Sequence, residues 1–130
     1  MRASYFDPIK EKTIDRAVHP AEDFSALVEA ILSLSSQRGH PTLELIRDDG
    51  SSLSLSTDGG RAHLVWTDSL GETFHSVGGN DGEPMVFDYF GSWSEASASC
   101  LVRLDDAIRC AGNYVLTGAV GTNEVLFEPD

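Results

Sequence analysis

The chain has 130 residues, 41% of them apolar, which suits one compact domain with a real core and leaves little room for two. Its 21 acids against 9 bases give a net charge of -12. That balance argues against direct nucleic-acid binding and against docking on an anionic membrane, and it favours encounter with a basic partner.

In chain order, the first clear element is a helix from about Pro20 to Arg38. Pro20 suits the first helical position, with Glu22 and Asp23 in the first turn. Phe24, Leu27, Val28, Ile31 and Leu34 make one apolar stripe, Gly39 reads as the C-terminal cap, and Pro41 forbids continuation. Short strands follow. Thr42–Arg47 alternates around Leu43 and Leu45, Asp49-Gly50 is a hairpin signal, and Ser52–Ser56 sets Leu53 and Leu55 against serines. Asp58-Gly59-Gly60 turns the chain into a strand over Arg61–Thr67, and Asp68–Gly71 turns it again into a strand over Glu72–Val77. After the polar, Gly-rich residues 78–84 comes a fifth strand, Met85–Phe90. Past Gly91 the pattern is irregular. A second helix spans about Asp105 to Thr117, with Leu104, Ala107, Ile108, Ala111 and Val115 on its apolar face and Gly118 at its end. Glu124–Phe127 reads as a last strand at a sheet edge.

Helix, run of strands, helix is an α+β order. The expected architecture is a single domain over 1–130. An antiparallel meander of about five to six strands carries both helices on one face and leaves the other face partly open.

Motifs for chemistry are missing. His19, His40, His63 and His75 form no HExxH, and no CxxC is present. His63 and His75 fall on neighbouring strands, a pair that reads more simply as sheet residues than as a metal site. No GxSxG elbow occurs, and Cys100 and Cys110 read as reduced packing residues. Asp105-Asp106 suits a helix start. Gly78, Gly79 and Gly82 lack the Lys-Ser or Lys-Thr of a phosphate loop and lie beside Asp81 and Glu83. The expectation is a protein that is not an enzyme and needs no cofactor or metal. MRASYFDPIKEK has no apolar h-region and no apolar run reaches membrane-span length, so the expected location is the cytoplasm.

The distribution of charge says more than its total. No Lys or Arg lies between Arg61 and Arg103, a span holding Asp68, Glu72, Asp81, Glu83, Asp88 and Glu95. Aromatic and acid recur together: Trp66 with Asp68, Asp88 with Phe90, Trp93 with Glu95. Strand alternation puts Met85, Phe87 and Tyr89 toward the helices and Val86, Asp88 and Phe90 on the other face. Two readings stay open: core rings with a solvated acidic rim, or aromatic anchors among acids that steer and pair with a basic partner. On the second, the partner-binding residues are Trp66, Asp68, Glu72, Asp88, Phe90, Trp93 and Glu95.

LELIRDDGSSLSLS (Leu43–Ser56), LVWTDSLGETFHSVG (Leu64–Gly78) and VFDYFGSWSEA (Val86–Ala96) resemble the first-numbered family of immunity proteins from bacterial polymorphic toxin systems. The resemblance runs from about Val18 to Gly118. It implies an α+β domain that binds a cognate protein toxin encoded by the adjacent gene, often a nucleic-acid deaminase, and blocks its active site or substrate channel; the sequence leaves the oligomeric state open, with a monomer favoured. It supplies no catalytic residues. The competing expectations are an acidic scaffold or regulatory module with several weaker partners, and a small-molecule binder on the open sheet face around His63 and His75.

Overall fold

The computed structural model describes residues 1–34, 39–120 and 124–130, without the side chains of residues 20–22. The protein is α+β, with two helices and a mostly antiparallel sheet. Among the described residues there are more strands than the five or six expected: eight in one sheet and two in another.

Two strands that the sequence reading missed open the chain, β1 (Arg2–Asp7) and β2 (Lys12–Ala17), paired as a hairpin. The Asp7 carboxylate accepts the Ile9 and Lys10 N–H groups and so shapes the turn between them. Helix α1 covers Pro20–Ser33. It is shorter than expected because Leu34 is already extended, at φ -87 and ψ 131, and acts as the C-cap in place of Gly39. Residues 35–38 of the expected helix lie outside the described residues.

The expected meander follows as β3 (Leu43–Ile46), β4 (Ser52–Thr57), β5 (Arg61–Thr67) and β6 (Thr73–Val77). Helix α2 covers Leu104–Thr117, preceded by the two-residue β9 (Val102–Arg103), and β10 (Leu126–Pro129) closes the chain. The large sheet runs β10-β6-β5-β4-β3-β1-β2, with β9 paired to β5.

Alternation decides the core. Leu43, Leu45, Leu53, Leu55, Ala62 and Leu64 are buried, and register places them on one face, with Leu43 opposite Leu55 and Leu55 opposite Leu64. They form one cluster with Leu27 and Ile31 of α1 and with Ala107, Ala111, Tyr114 and Val115 of α2. Fully burying each such aliphatic side chain contributes about 1.5–3 kcal/mol before ordering costs. Arg47, just after β3, ties sheet to helix. Its Nη1 donates to Tyr114 O at 3.0 Å and Val115 O at 3.1 Å, the last turn of α2.

The expected fifth strand does not continue the meander. β7 (Met85–Tyr89) pairs with β8 (Ser92–Ala96) as a separate two-stranded sheet. On its other edge β7 meets the chain after α1: Pro41 bridges to Asp88, and Thr42 N–H donates to Asp88 O at 3.0 Å. Met85, Phe87 and Ala96 bury against Leu101 in a small cluster of their own. The Phe87 ring lies 6.3 Å from that of His63. His63 alternates with Ala62 and Leu64, which face the main core, so the hairpin lies on the opposite side of the sheet. Met85 and Phe87 therefore secure β7 away from the helices, contrary to the sequence reading. They cover part of the sheet face that was expected to be open.

A short 3-10 turn, Ala98–Cys100, joins β8 to β9 and docks on β6. Ser76 Oγ donates to Cys100 O at 2.7 Å, and Gly78 N–H to Ser99 O at 2.9 Å. A side chain at Gly78 would put its Cβ 1.6 Å from Leu101 O, so this approach requires glycine.

Candidate functional site

The β7–β8 turn is the two-residue pair Phe90-Gly91, with φ of 50° and 88°. Positive φ at both positions is what a type I′ hairpin turn needs, because its twist matches that of the strands. Gly91 adopts this freely. Phe90 does not, since a Cβ at positive φ crowds the backbone.

Asp88 holds this turn. Its Oδ1 accepts Gly91 N–H at 2.7 Å, while its carbonyl accepts the Thr42 hydroxyl at 3.1 Å. The Thr42 hydroxyl in turn meets Ser56 Oγ at 2.8 Å. Asp88 is only 3% exposed. The expectation of a solvent-facing Asp88 is thus corrected: the Pro41–Thr42 segment lies against β7 and covers it.

Two rings around the turn are open to solvent, Trp93 at 60% and Tyr89 at 45% exposure. Tyr89 was expected to be an inward-facing residue. It shares the alternation of Met85 and Phe87, but as the last residue of β7 it escapes the small core. Phe90 is half-buried and meets Tyr89 edge to face, with ring centroids 5.1 Å apart. Trp93 stands opposite Asp88 across the hairpin. Glu95 is exposed two residues on, on the same side, and opens onto a cleft lined also by Asn80, Asp81, Pro84, Ser97 and Ser99. Asp81 and Glu83 are exposed beside it. Arg61, the last base before this stretch, bonds the Asp58 carboxylate at 3.1 Å and Glu83 O at 2.9 Å.

The structure does not bring all seven sequence-derived residues together. Trp66 shares the main-core face of Leu64, packs against that core and stacks on Phe74 at 5.0 Å, so it lies on the side away from the hairpin. The Asp68 carboxylate is used locally, accepting the Leu70 and Glu72 N–H groups at 2.9 Å to form the β5–β6 turn. Glu72 is exposed at that turn. Phe90, Trp93 and Glu95 form one group and Trp66, Asp68 and Glu72 another, with Asp88 buried beneath the first. Tyr89, Asp81 and Glu83 extend the hairpin group, and sequence reasoning left them out. The signal for Tyr89 was available in Gly91: a hairpin turn there makes Tyr89 the last paired residue.

Among the described residues, no group of three or more His, Cys, Asp or Glu side chains could hold a metal ion. His63 is held below its ordinary pKa first by burial and then by the nearby His75, while Asp130 opposes the shift. His75 Nδ1 pairs with the Asp130 carboxylate. Among the described residues, no helix is long and apolar enough to cross a membrane.

Among curated proteins, none matches the chain significantly. The sequence profile of the family described as Immunity protein Imm1 matches residues 12–125.

Proposed function

The chain belongs to the Imm1 immunity-protein family, and from that premise we propose that it neutralises a cognate bacterial toxin by occupying a basic groove on it. Membership makes it an immunity protein of a toxin system. The observation that carries the mode of binding is Trp93, 60% exposed beside Glu95 in a stretch without Lys or Arg from residue 62 to 102. A large exposed ring supplies the buried area of an interface hot spot, and the acids around it select a basic counterpart. Toxins that act on nucleic acid, deaminases or nucleases, need Lys and Arg in the substrate groove, so an acidic occupant competes directly with substrate. The protein acts by binding and not by catalysis. It works as a single-domain monomer in the cytoplasm, without cofactor, and its toxin is encoded by the adjacent gene.

Co-expression tests this. Cells producing the toxin of the adjacent gene are expected to survive when this chain is present, and the two proteins to co-purify one to one. Continued killing together with no complex would sink the proposal. Recovery of many weakly held proteins instead would favour a general acidic scaffold.

A further inference from the structure

We propose that the β7–β8 hairpin tip is a preorganised aromatic wedge that enters a concave, base-rimmed pocket of the toxin. Phe90 is its apex and Asp88 its positioning residue. This rests on the toxin-binding reading above.

Three observations converge on the hairpin. First, its exposed rings lie on both faces of the hairpin, Tyr89 on the side of Met85 and Phe87, and Trp93 on the side of Glu95. A flat partner reaches one of them; an occupant that covers both must be concave. Second, Phe90 sits at φ 50° in a turn where Asn or Gly costs nothing. Local turn chemistry selects against an aromatic there, and backbone strain of this kind points to a demand beyond the turn itself. The ring it places meets Tyr89 edge to face, so the apex is a joined apolar surface. Third, Glu95, Asp81 and Glu83 lie at the open end of the hairpin, where the rim of a pocket that admits the tip meets them, and they favour Lys or Arg on that rim.

Asp88 then has a different role from the one its charge suggests. It is buried, and it fixes the Gly91 N–H through Oδ1 and the Thr42 segment through its carbonyl. Holding the turn closed in advance removes an ordering cost from association. Its side-chain role needs an acceptor oxygen and no charge, so Asn can replace it.

The experiment measures dissociation of each variant from the catalytically inactive toxin domain of the adjacent gene, with thermal melting as a control for folding. Phe90→Asn installs the favoured Asn-Gly turn. It is expected to melt at or above the wild-type temperature and yet to dissociate at least about tenfold faster, as loss of an interface anchor does. Trp93→Ala, exposed and outside both cores, is expected to do the same without changing the melt. Asp88→Ala is expected to speed dissociation by about tenfold, while Asp88→Asn dissociates within about twofold of wild type. If Phe90→Asn and Trp93→Ala dissociate at the wild-type rate, the wedge is wrong and the toxin-binding reading stands. Equal losses for Asp88→Asn and Asp88→Ala would make Asp88 a charge contact and overturn its positioning role. If the wild-type chain does not bind the toxin, both readings fall together.

Discussion

His63 shows how a single side chain acquires a function in stability from its surroundings. It lies under Phe87 and diagonal to His75, and burial is the main reason its proton is held less tightly than the ordinary value near 6.5. The unfolded chain therefore binds a proton at pH values where the folded one does not. Below pH 6.5 this His draws the equilibrium toward the unfolded state, and the penalty grows until the folded-state pKa is reached, where it levels off. Denaturant unfolding is expected to show stability falling from pH 7.5 to pH 5. A His63→Gln variant is expected to lose less over the same interval, and parallel curves would remove His63 as the cause. The same packing that shifts His63 also argues against reading it with His75 as a ligand pair, because one of the two is committed to Asp130.

At the scale of elements, the two helices end in different ways. α1 stops at an extended Leu34, whereas α2 ends in Gly118 at φ 80°, whose N–H returns to Tyr114 O. α2 has no basic residue in its last turn, so the cation that complements its C-terminal carbonyls comes from the sheet, as Arg47. Arg47→Ala is expected to lower unfolding free energy by about 1.5–3 kcal/mol, the range for hydrogen bonds to a charged group. Arg47→Lys recovers only part of this, since one ammonium does not reproduce the guanidinium fork. Equilibrium denaturation of both variants measures it.

The meander β3–β6 was readable because Leu and Ser alternate strictly and Asp-Gly or Asp-Ser turns separate the runs. β1 and β2 were not, because KTIDRA is an exposed edge strand with one half-buried apolar residue and shows no period to detect. The β7–β8 hairpin escaped because Phe is not a turn residue by any local rule. Asp88 was misplaced because its burial depends on a segment 46 residues away, Thr42, which no local pattern reports. Sequence thus revealed the acidic, aromatic character of the surface, while tertiary packing decided which of its members face outward.

For the whole molecule the governing quantity is charge. A net charge of -12, with a long stretch free of bases, produces a field that attracts a cationic surface from beyond contact range. Association with the toxin is therefore expected to slow by roughly tenfold or more between about 20 mM and 500 mM salt. Reversing Asp81, Glu83 and Glu95 together is expected to slow it at low salt and flatten the salt dependence. Stopped-flow mixing reads both effects, and unchanged kinetics would move the interface elsewhere. The hairpin also divides the molecule in a further way. Met85, Phe87, Ala96 and Leu101 hold it without drawing on the main cluster. Outward positions such as 93 and 95 can then be rewritten while the fold that carries them is inherited unchanged. On the proposed mode of binding, a lineage in conflict with a drifting enemy follows it by altering a few letters in one hairpin, and two sister chains share a scaffold while recognising different adversaries.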